Sequence, residues 1–228
     1  MTKGSRKGLF LSFEGAEGSG KTTQMGILVE RLRALGYEVI ENQEPGGTSI
    51  GRQIRRILLD PENREMAAMT ELLLMFASRA QAAAELIEPA LERGNIVVSD
   101  RFTDSSLAYQ GGARGLGFDK VLAAHDLAMG KLLPDLTLWI DVDVELGLAR
   151  ANGRNAQRSA QEQSEARIDR QPVAFHQTVR DGYARIAARE PRRFRIIDGD
   201  ADIPAVAERV WKEVEPLLHQ FEISRMAQ

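Results

Sequence analysis

Eight residues near the start of the chain have the types and spacing of a phosphate-binding loop. Residues 15–22 read G-x-x-x-x-G-K-T, after an apolar, β-prone run at 8–13 and before a stretch with helical spacing. Glycines let a backbone wrap closely around phosphates, so that N–H groups and the positive end of the following helix face the anion. Lys21 is expected to reach the β- and γ-phosphates, and the Thr22 hydroxyl to bind Mg²⁺. The motif therefore predicts a nucleoside triphosphate site, formed by Gly15, Ala16, Glu17, Gly18, Ser19, Gly20, Lys21 and Thr22.

Two charged residues follow a second short apolar segment. Residues 96–98 read Ile-Val-Val and lead through Ser99 into Asp100 and Arg101. In open α/β sheets ligands bind outside the carboxyl ends of the strands, and Asp100 and Arg101 are predicted to lie there. An aspartate that orients Mg²⁺ through water, followed by an arginine, suits an enzyme that holds two phosphorylated molecules together. The sequence contains no N-K-x-D motif, which argues against a GTPase switch.

A polar segment rich in Arg, Gln and Ser occupies residues 150–165. Phosphoryl transfer depends on positioning and charge neutralisation, and the acceptor must be kept from water. A mobile segment that carries arginines is what a closing lid requires. A plain surface loop is the alternative interpretation.

The elements that must position these groups alternate between strand and helix. Apolar strands are predicted at 8–13, 38–40, 96–98, 136–142 and 195–198, with helical patterns between them. This alternation indicates a parallel sheet covered on both faces by helices. Three local expectations are a long helix at 69–93 kinked at Pro89, a glycine-rich loop at 111–117, and a helix at 167–188. No repeat or linker divides the chain, so residues 1–228 are expected to form a single domain.

Composition excludes several functional classes. The net charge of −3 argues against general binding to nucleic acid or to a membrane surface. The basic residues comprise 24 Arg and six Lys, a bias compatible with several phosphate contacts and equally with a GC-rich genome. Cysteine is absent, which rules out disulfides and thiolate metal sites. The apolar run after the basic N-terminus is short and ends at Glu14, so we expect no signal peptide, no membrane span and a cytoplasmic location.

Five short motifs occur in a specific order, at 14–23, 44–48, 99–102, 108–112 and 134–137. Together they resemble the bacterial thymidylate kinase family over nearly the whole chain. The resemblance implies a three-layer α/β P-loop nucleoside monophosphate kinase fold, with a five-stranded parallel sheet and a small mobile lid at about 150–166. It also implies transfer of the γ-phosphate of ATP to dTMP, a requirement for Mg²⁺, and a homodimer. An apolar helix face is expected to form the dimer interface.

The resemblance assigns roles at the acceptor site. Glu17 matches the acidic residue that contacts the deoxyribose 3′-hydroxyl, and a carboxylate can accept that hydrogen bond. Arg55 and Arg101 match the arginines that hold the dTMP phosphate, which guanidinium groups bind bidentately. Arg79 matches the arginine that reads the thymine edge. The segment expected to line thymine and sugar contains Ser106, Tyr109 and Gln110.

The chain departs from the family pattern at several positions. Met75 stands where a phenylalanine usually stacks on the base, so either Met75 or the next residue, Phe76, is expected to meet thymine. Gly18 replaces an arginine that some members carry in the phosphate-binding loop. In such members the lid supplies the catalytic arginine, which points to Arg154 first, with Arg150 and Arg158 as the other lid candidates. An acid that often precedes Arg167 is replaced by Ala166, and Gln43 replaces an arginine before the second motif.

These assignments define the predicted catalytic groups, and two other readings stay open. The catalytic groups are Lys21, Asp100, Arg101 and Arg154, with Thr22 and Asp100 at the metal. Another P-loop nucleoside or nucleotide kinase could share this scaffold. A non-catalytic nucleotide-dependent switch is the alternative outside enzymes. The three histidines lie outside every motif, and no catalytic role is expected for them.

Overall fold

The computed structural model describes residues 7–155, 167–168 and 171–226. Its centre is one five-stranded sheet in the order β2-β3-β1-β4-β5, and all of its pairings are parallel. The strands are β1 (Leu9–Glu14), β2 (Val39–Gln43), β3 (Ile96–Asp100), β4 (Leu136–Asp141) and β5 (Phe194–Asp198). The predicted five-stranded parallel α/β fold is therefore confirmed.

Helices cover both faces of the sheet. They are α1 (Lys21–Ala34), α2 (Ser49–Leu59), α3 (Ala68–Ala82), α4 (Glu88–Glu92), α5 (Thr103–Ser106), α6 (Phe118–Met129), α7 (Val144–Asn155), α8 (Val173–Arg189) and α9 (Ile203–Met226). Two π-helical segments, Ala83–Ile87 and Leu107–Ala113, continue α3 and α5. Within the described ranges, no helix is long and apolar enough to cross a membrane.

The central strand, β1, contributes side chains to the hydrophobic clusters on both faces of the sheet. From β1, Phe10 enters the cluster that also contains Phe76, Trp139 and Tyr183. Leu11 and Phe13 enter the opposite cluster, beneath α1 and α9. All six residues of β1 are buried, because a parallel strand covered on both faces has no solvent side. The loop that follows β1 is thus attached to the most constrained element of the fold.

Three local predictions were wrong in detail. The helix expected at 167–188 begins only at Val173, since Pro172 disfavours helical backbone at the residue before it. The glycine loop expected from residue 111 begins later, because the π-helical segment continues to Ala113 and packs against α8. The single helix expected at 69–93 is divided, because the π-helical segment Ala83–Ile87 separates α3 from α4, and Pro89 lies in the first turn of α4.

Candidate active site

The phosphate-binding loop connects β1 directly to α1. Gly18 and Gly20 have φ angles of 70° and 88°, in the left-handed region that glycine adopts without strain. Lys21 is the first residue of α1, and its side chain is buried at the cavity wall. Burial, and next the charge of Arg101, lower the pKa of Lys21. The loop and helix start therefore present backbone donors and one buried ammonium group to the same space.

Two oxygen groups meet beside this loop. The Thr22 hydroxyl donates a hydrogen bond of 2.8 Å to Oδ2 of Asp100, at the end of the neighbouring strand β3. Hydroxyl and carboxylate oxygens are the ligands that Mg²⁺ prefers, and phosphates and waters usually complete its shell. The described residues contain no cluster of three or more His, Asp or Glu side chains suited to a metal. The donor set at Thr22 and Asp100 fits an ion that arrives with a nucleotide.

Arg101 faces the loop from the end of β3. Its Nη2 forms an ion pair of 2.8 Å with Glu17, and both side chains are 15% exposed. Its guanidinium lies 5.0 Å from the ring centroid of Tyr109. These contacts fix the orientation of the Arg101 side chain, which also lines the cavity described next.

That space is a cavity of about 340 Å³ between the phosphate-binding loop, α2, α3 and the π-helical segment after α5. It brings together most of the predicted site residues, which are far apart in sequence. The predicted residues that line it are Glu17, Gly18, Ser19, Gly20, Lys21, Thr22, Arg55, Met75, Arg79, Asp100, Arg101, Ser106, Tyr109 and Gln110. Gly15, Ala16 and Phe76 are not among the lining residues.

Met75 and Phe76 point in different directions from α3. Met75 lines the cavity. Phe76 is 3% exposed and belongs to the core, with its ring 4.7 Å from the Arg79 guanidinium and 6.4 Å from the ring of His125. Of the two residues expected to meet the base, the structure places Met75 at the cavity and Phe76 behind it.

Arg79 forms part of the cavity wall, and most of its donors are already engaged. Its Nε lies 2.5 Å from Oε2 of Glu44, its Nη1 donates to Ser106, and its Nη2 donates to the carbonyl of Phe102. A guanidinium has five N–H donors, so these contacts leave at most two for a ligand. The side chain is 1% exposed and cannot move without breaking the buried pair with Glu44.

The thymidylate kinase family model matches residues 13–210 of this sequence. The chain belongs to the thymidylate kinase family. A curated thymidylate kinase from Pelobacter propionicus is 47% identical over 207 residues, which cover 91% of this chain and 94% of that protein. One from Syntrophotalea carbinolica is 46% identical over 202 residues, covering 89% and 93% of the two chains.

A solved structure agrees with this family assignment. The thymidylate kinase from Ehrlichia chaffeensis superposes with a TM-score of 0.72 at 32% identity, covering 91% of this chain and 98% of that one. The predicted resemblance and the predicted nucleoside monophosphate kinase fold are thus confirmed.

Part of the predicted lid lies outside the described residues. Arg158 and Ala166 belong to that part, and the side chain of Arg154 does as well, although its backbone forms the end of α7. Arg150 donates to the carbonyl of Gly199 at 3.5 Å. The role of a lid arginine in this thymidylate kinase family member stays a prediction.

Arg167, which follows the predicted lid segment in sequence, contacts helices α2 and α3. Its Nε donates to the carbonyl of Leu58, and its Nη2 pairs with Glu71 at 2.6 Å. Glu71 also accepts a hydrogen bond from Gln110. Ile168, next to this anchor, lines the cavity.

Sequence reasoning missed several residues of the site. Glu44 and Glu14 were recognised only as members of motifs, and no role was assigned to either. A carboxylate within a buried strand is itself a signal, because burying a charge requires partners. Tyr183 offered no signal, since its contact with Glu14 joins residues 169 positions apart.

Proposed function

We propose that the chain transfers the γ-phosphate of ATP to dTMP, giving ADP and dTDP. The observation that carries this proposal is that the phosphate-binding loop and Arg101 line one cavity. A donor phosphate on the loop and an acceptor phosphate on Arg101 would therefore meet. Membership of the thymidylate kinase family names the acceptor.

On the donor side, the residues neutralise charge and orient the phosphates. The loop N–H groups and Lys21 hold the β- and γ-phosphates, which lowers the cost of charge shifting during transfer. Thr22 and, through water, Asp100 would hold Mg²⁺, which would supply positive charge to offset that of the phosphates. In this role Asp100 would orient water around the ion and would not be required as a strong base.

On the acceptor side, Arg55 and Arg101 hold the phosphate of dTMP. Arg55 lines the cavity and its Nη1 is fixed by the carbonyl of Pro45 at 2.9 Å. Two guanidinium groups offset the repulsion between acceptor and γ-phosphate. Glu17 accepts a hydrogen bond from the 3′-hydroxyl, and this is compatible with its pairing to Arg101 because a carboxylate has about four acceptor sites.

The thymine end of the cavity combines apolar and polar groups. Met75 packs against the base, and the remaining donors of Arg79 read its edge. Ser106 and Gln110 are both buried and both hydrogen-bonded to neighbouring charged residues, Arg79 and Glu71 respectively. Tyr109 lies between the base end and Arg101. Pre-formed contacts of this kind favour one base over others because an unmatched base leaves buried polar groups unpaired.

A coupled assay of ADP release tests the assignment. The purified chain is incubated with ATP, Mg²⁺ and one of dTMP, dCMP or UMP. We expect dTMP to give the highest kcat/KM. Faster turnover of dCMP or UMP would contradict the proposal, and so would ATP binding without any monophosphate-dependent turnover.

The metal part of the proposal is tested through Asp100. Asp100→Asn keeps the side-chain shape and the acceptor for Thr22 but removes the charge. We expect the Mg²⁺ concentration for half-maximal activity to rise by about tenfold or more, because outer-shell carboxylates typically account for that much affinity. An unchanged Mg²⁺ dependence in this variant would contradict the assignment of Asp100.

We further infer a homodimer through the face formed by α3 and α6. These helices pack against each other, and Met69, Leu73 and Leu122 expose 40%, 56% and 42% of their surface there. A contiguous apolar patch on two helices that pack together is a typical interaction surface. Light scattering should give twice the chain mass, and Leu73→Lys should reduce it to one chain mass. A monomeric unmodified protein would contradict the inference.

A further inference from the structure

The backbone at Arg101 is strained and held in place from β1. Arg101 has a φ of 75°, a value that costs energy in a residue with a side chain. Its N–H donates to the carbonyl of Phe13 at 2.9 Å, and the next N–H, of Phe102, donates to Oε1 of Glu14 at 2.8 Å. The end of β1 therefore fixes the turn from which the Arg101 side chain projects.

The second oxygen of Glu14 reaches the Arg101 side chain through two hydroxyls. Oε2 accepts hydrogen bonds from Ser105 and, at 2.9 Å, from Tyr183. The same hydroxyls lie 3.1 Å and 3.4 Å from Nη1 of Arg101. Strand β1, helix α5 and helix α8 thus converge on one guanidinium group.

The direction of these hydrogen bonds depends on a carboxylate. An ionised carboxylate only accepts, a guanidinium only donates, and each hydroxyl has a single proton. When Glu14 is ionised, Ser105 and Tyr183 donate their protons to it, and their lone pairs then face Arg101. An uncharged amide in place of Glu14 would point its N–H₂ group at the hydroxyls, which would then face donors on both sides.

We propose that Glu14 is a positioning residue for the acceptor phosphate, acting on Arg101 through Ser105 and Tyr183. The inference rests on the proposed function, in which Arg101 binds the phosphate of dTMP. Glu14 is fully buried behind this arginine and is not among the residues that line the cavity. Its effect is to keep the guanidinium in a single orientation before dTMP arrives, which lowers the ordering cost of binding.

The cost of this arrangement supports a functional role. Burial, and next the neighbouring charge of Asp104, raise the pKa of Glu14 to about 7. If Glu14 served only to stabilise the fold, a neutral side chain at this buried position would cost less free energy of folding. Buried ionisable groups with strongly shifted pKa values, which destabilise the folded protein, are typical of functional sites.

The test compares Glu14→Gln, Tyr183→Phe and the double variant with the unmodified chain. We expect Glu14→Gln to raise the KM for dTMP about tenfold and to leave the KM for ATP within twofold, because only the acceptor arginine is released. Tyr183→Phe removes one hydroxyl but keeps the ring stacked on Trp139, and we expect a smaller increase of about threefold. Because both act on the same contact, the double variant should be less impaired than the product of the single effects.

Ser12→Ala is the matched control. Ser12 lies on the same strand, is equally buried, and its hydroxyl bonds to Thr137 and not to Arg101. We expect it to change the melting temperature without changing the KM for dTMP. This separates loss of a buried hydrogen bond from loss of arginine positioning.

The outcomes distinguish the two proposals. If the unmodified chain does not phosphorylate dTMP, the proposed function and the role of Glu14 are both wrong. If it does, and Glu14→Gln leaves the KM for dTMP unchanged, only the positioning role is wrong. Should Glu14→Gln fail to fold, Tyr183→Phe decides, and an unchanged KM for dTMP in that variant overturns the proposal.

Discussion

Gly18 of the phosphate-binding loop lies directly against the backbone carbonyl of Gly147 in α7. A Cβ at position 18 would come 1.8 Å from the Gly147 oxygen, and a Cβ at position 147 would come 2.6 Å from the carbonyl oxygen of Glu17. At both positions a side chain would clash with the backbone of the other segment, so the close approach of the loop and α7 requires both glycines. An arginine could not replace Gly18 in this arrangement, because the backbone of α7, the helix that leads into the predicted lid, occupies the space next to it.

Gly147→Ala should impair ATP use through this contact. The added methyl group must displace the loop, and misplacement of phosphate ligands by about 1 Å can cost 100-fold in rate. We expect kcat/KM for ATP to fall at least about tenfold. Gly26→Ala is the matched control, because it lies within α1 with no atom near its Cβ position. Equal activity of the two variants would show that the contact does not constrain the loop.

Met75→Ala should mainly change the KM for dTMP, whereas Phe76→Ala should mainly lower the free energy of unfolding. Met75 lines the cavity, so its truncation should raise the KM for dTMP several-fold with little loss of stability. Phe76 is buried in the core, and truncating a core phenylalanine typically costs about 3–5 kcal/mol of unfolding free energy. Steady-state kinetics and urea unfolding measure the two effects. A normal KM in Met75→Ala would show that the base packs elsewhere.

Arg154→Ala should lower kcat while leaving the affinity for dTMP nearly unchanged. A charge contact made only in the transition state affects kcat and kcat/KM together and does not alter ground-state binding. Because arginines that stabilise a transferring phosphoryl group are worth about 1,000-fold or more, we expect at least a 100-fold decrease. Kinetics of Arg150→Ala and Arg158→Ala serve for comparison. An unaffected kcat in Arg154→Ala would move the role to one of these residues.

Glu14 should make the protein less stable as pH rises. Its pKa is raised from an ordinary value of 4.5 to about 7, so between these pH values the folded chain binds more protons than the unfolded chain. Stability from this group therefore falls as pH increases through that window, by roughly 3 kcal/mol in total. Glu14→Gln should remove this component. Urea unfolding at pH 5, 6, 7 and 8 measures it, and parallel curves for the two proteins would contradict the prediction.

Sequence reasoning was most accurate where function depends on local chemistry. Residues 15–22 lie on a strand, a turn and a helix that are consecutive in the chain, so spacing alone identified the loop. Sequence reasoning was least accurate for contacts between side chains of different helices and strands. The buried pair between Arg79 of α3 and Glu44, which follows β2, was not predicted, and the role of Arg79 at the base stays a prediction.

The sequence alone predicted the parallel sheet and the phosphate-binding loop, because each follows from local periodicity and spacing. The resemblance to the family came from the order of five motifs along nearly the whole chain. Only the tertiary structure decided which of Met75 and Phe76 faces the cavity, since that depends on how α3 is rotated against its neighbours. Only it could join Glu14 to Tyr183, because their side chains are 169 positions apart in sequence and meet only where α8 packs against β1. The cavity beside the phosphate-binding loop is thus formed by side chains that are distant from it in sequence.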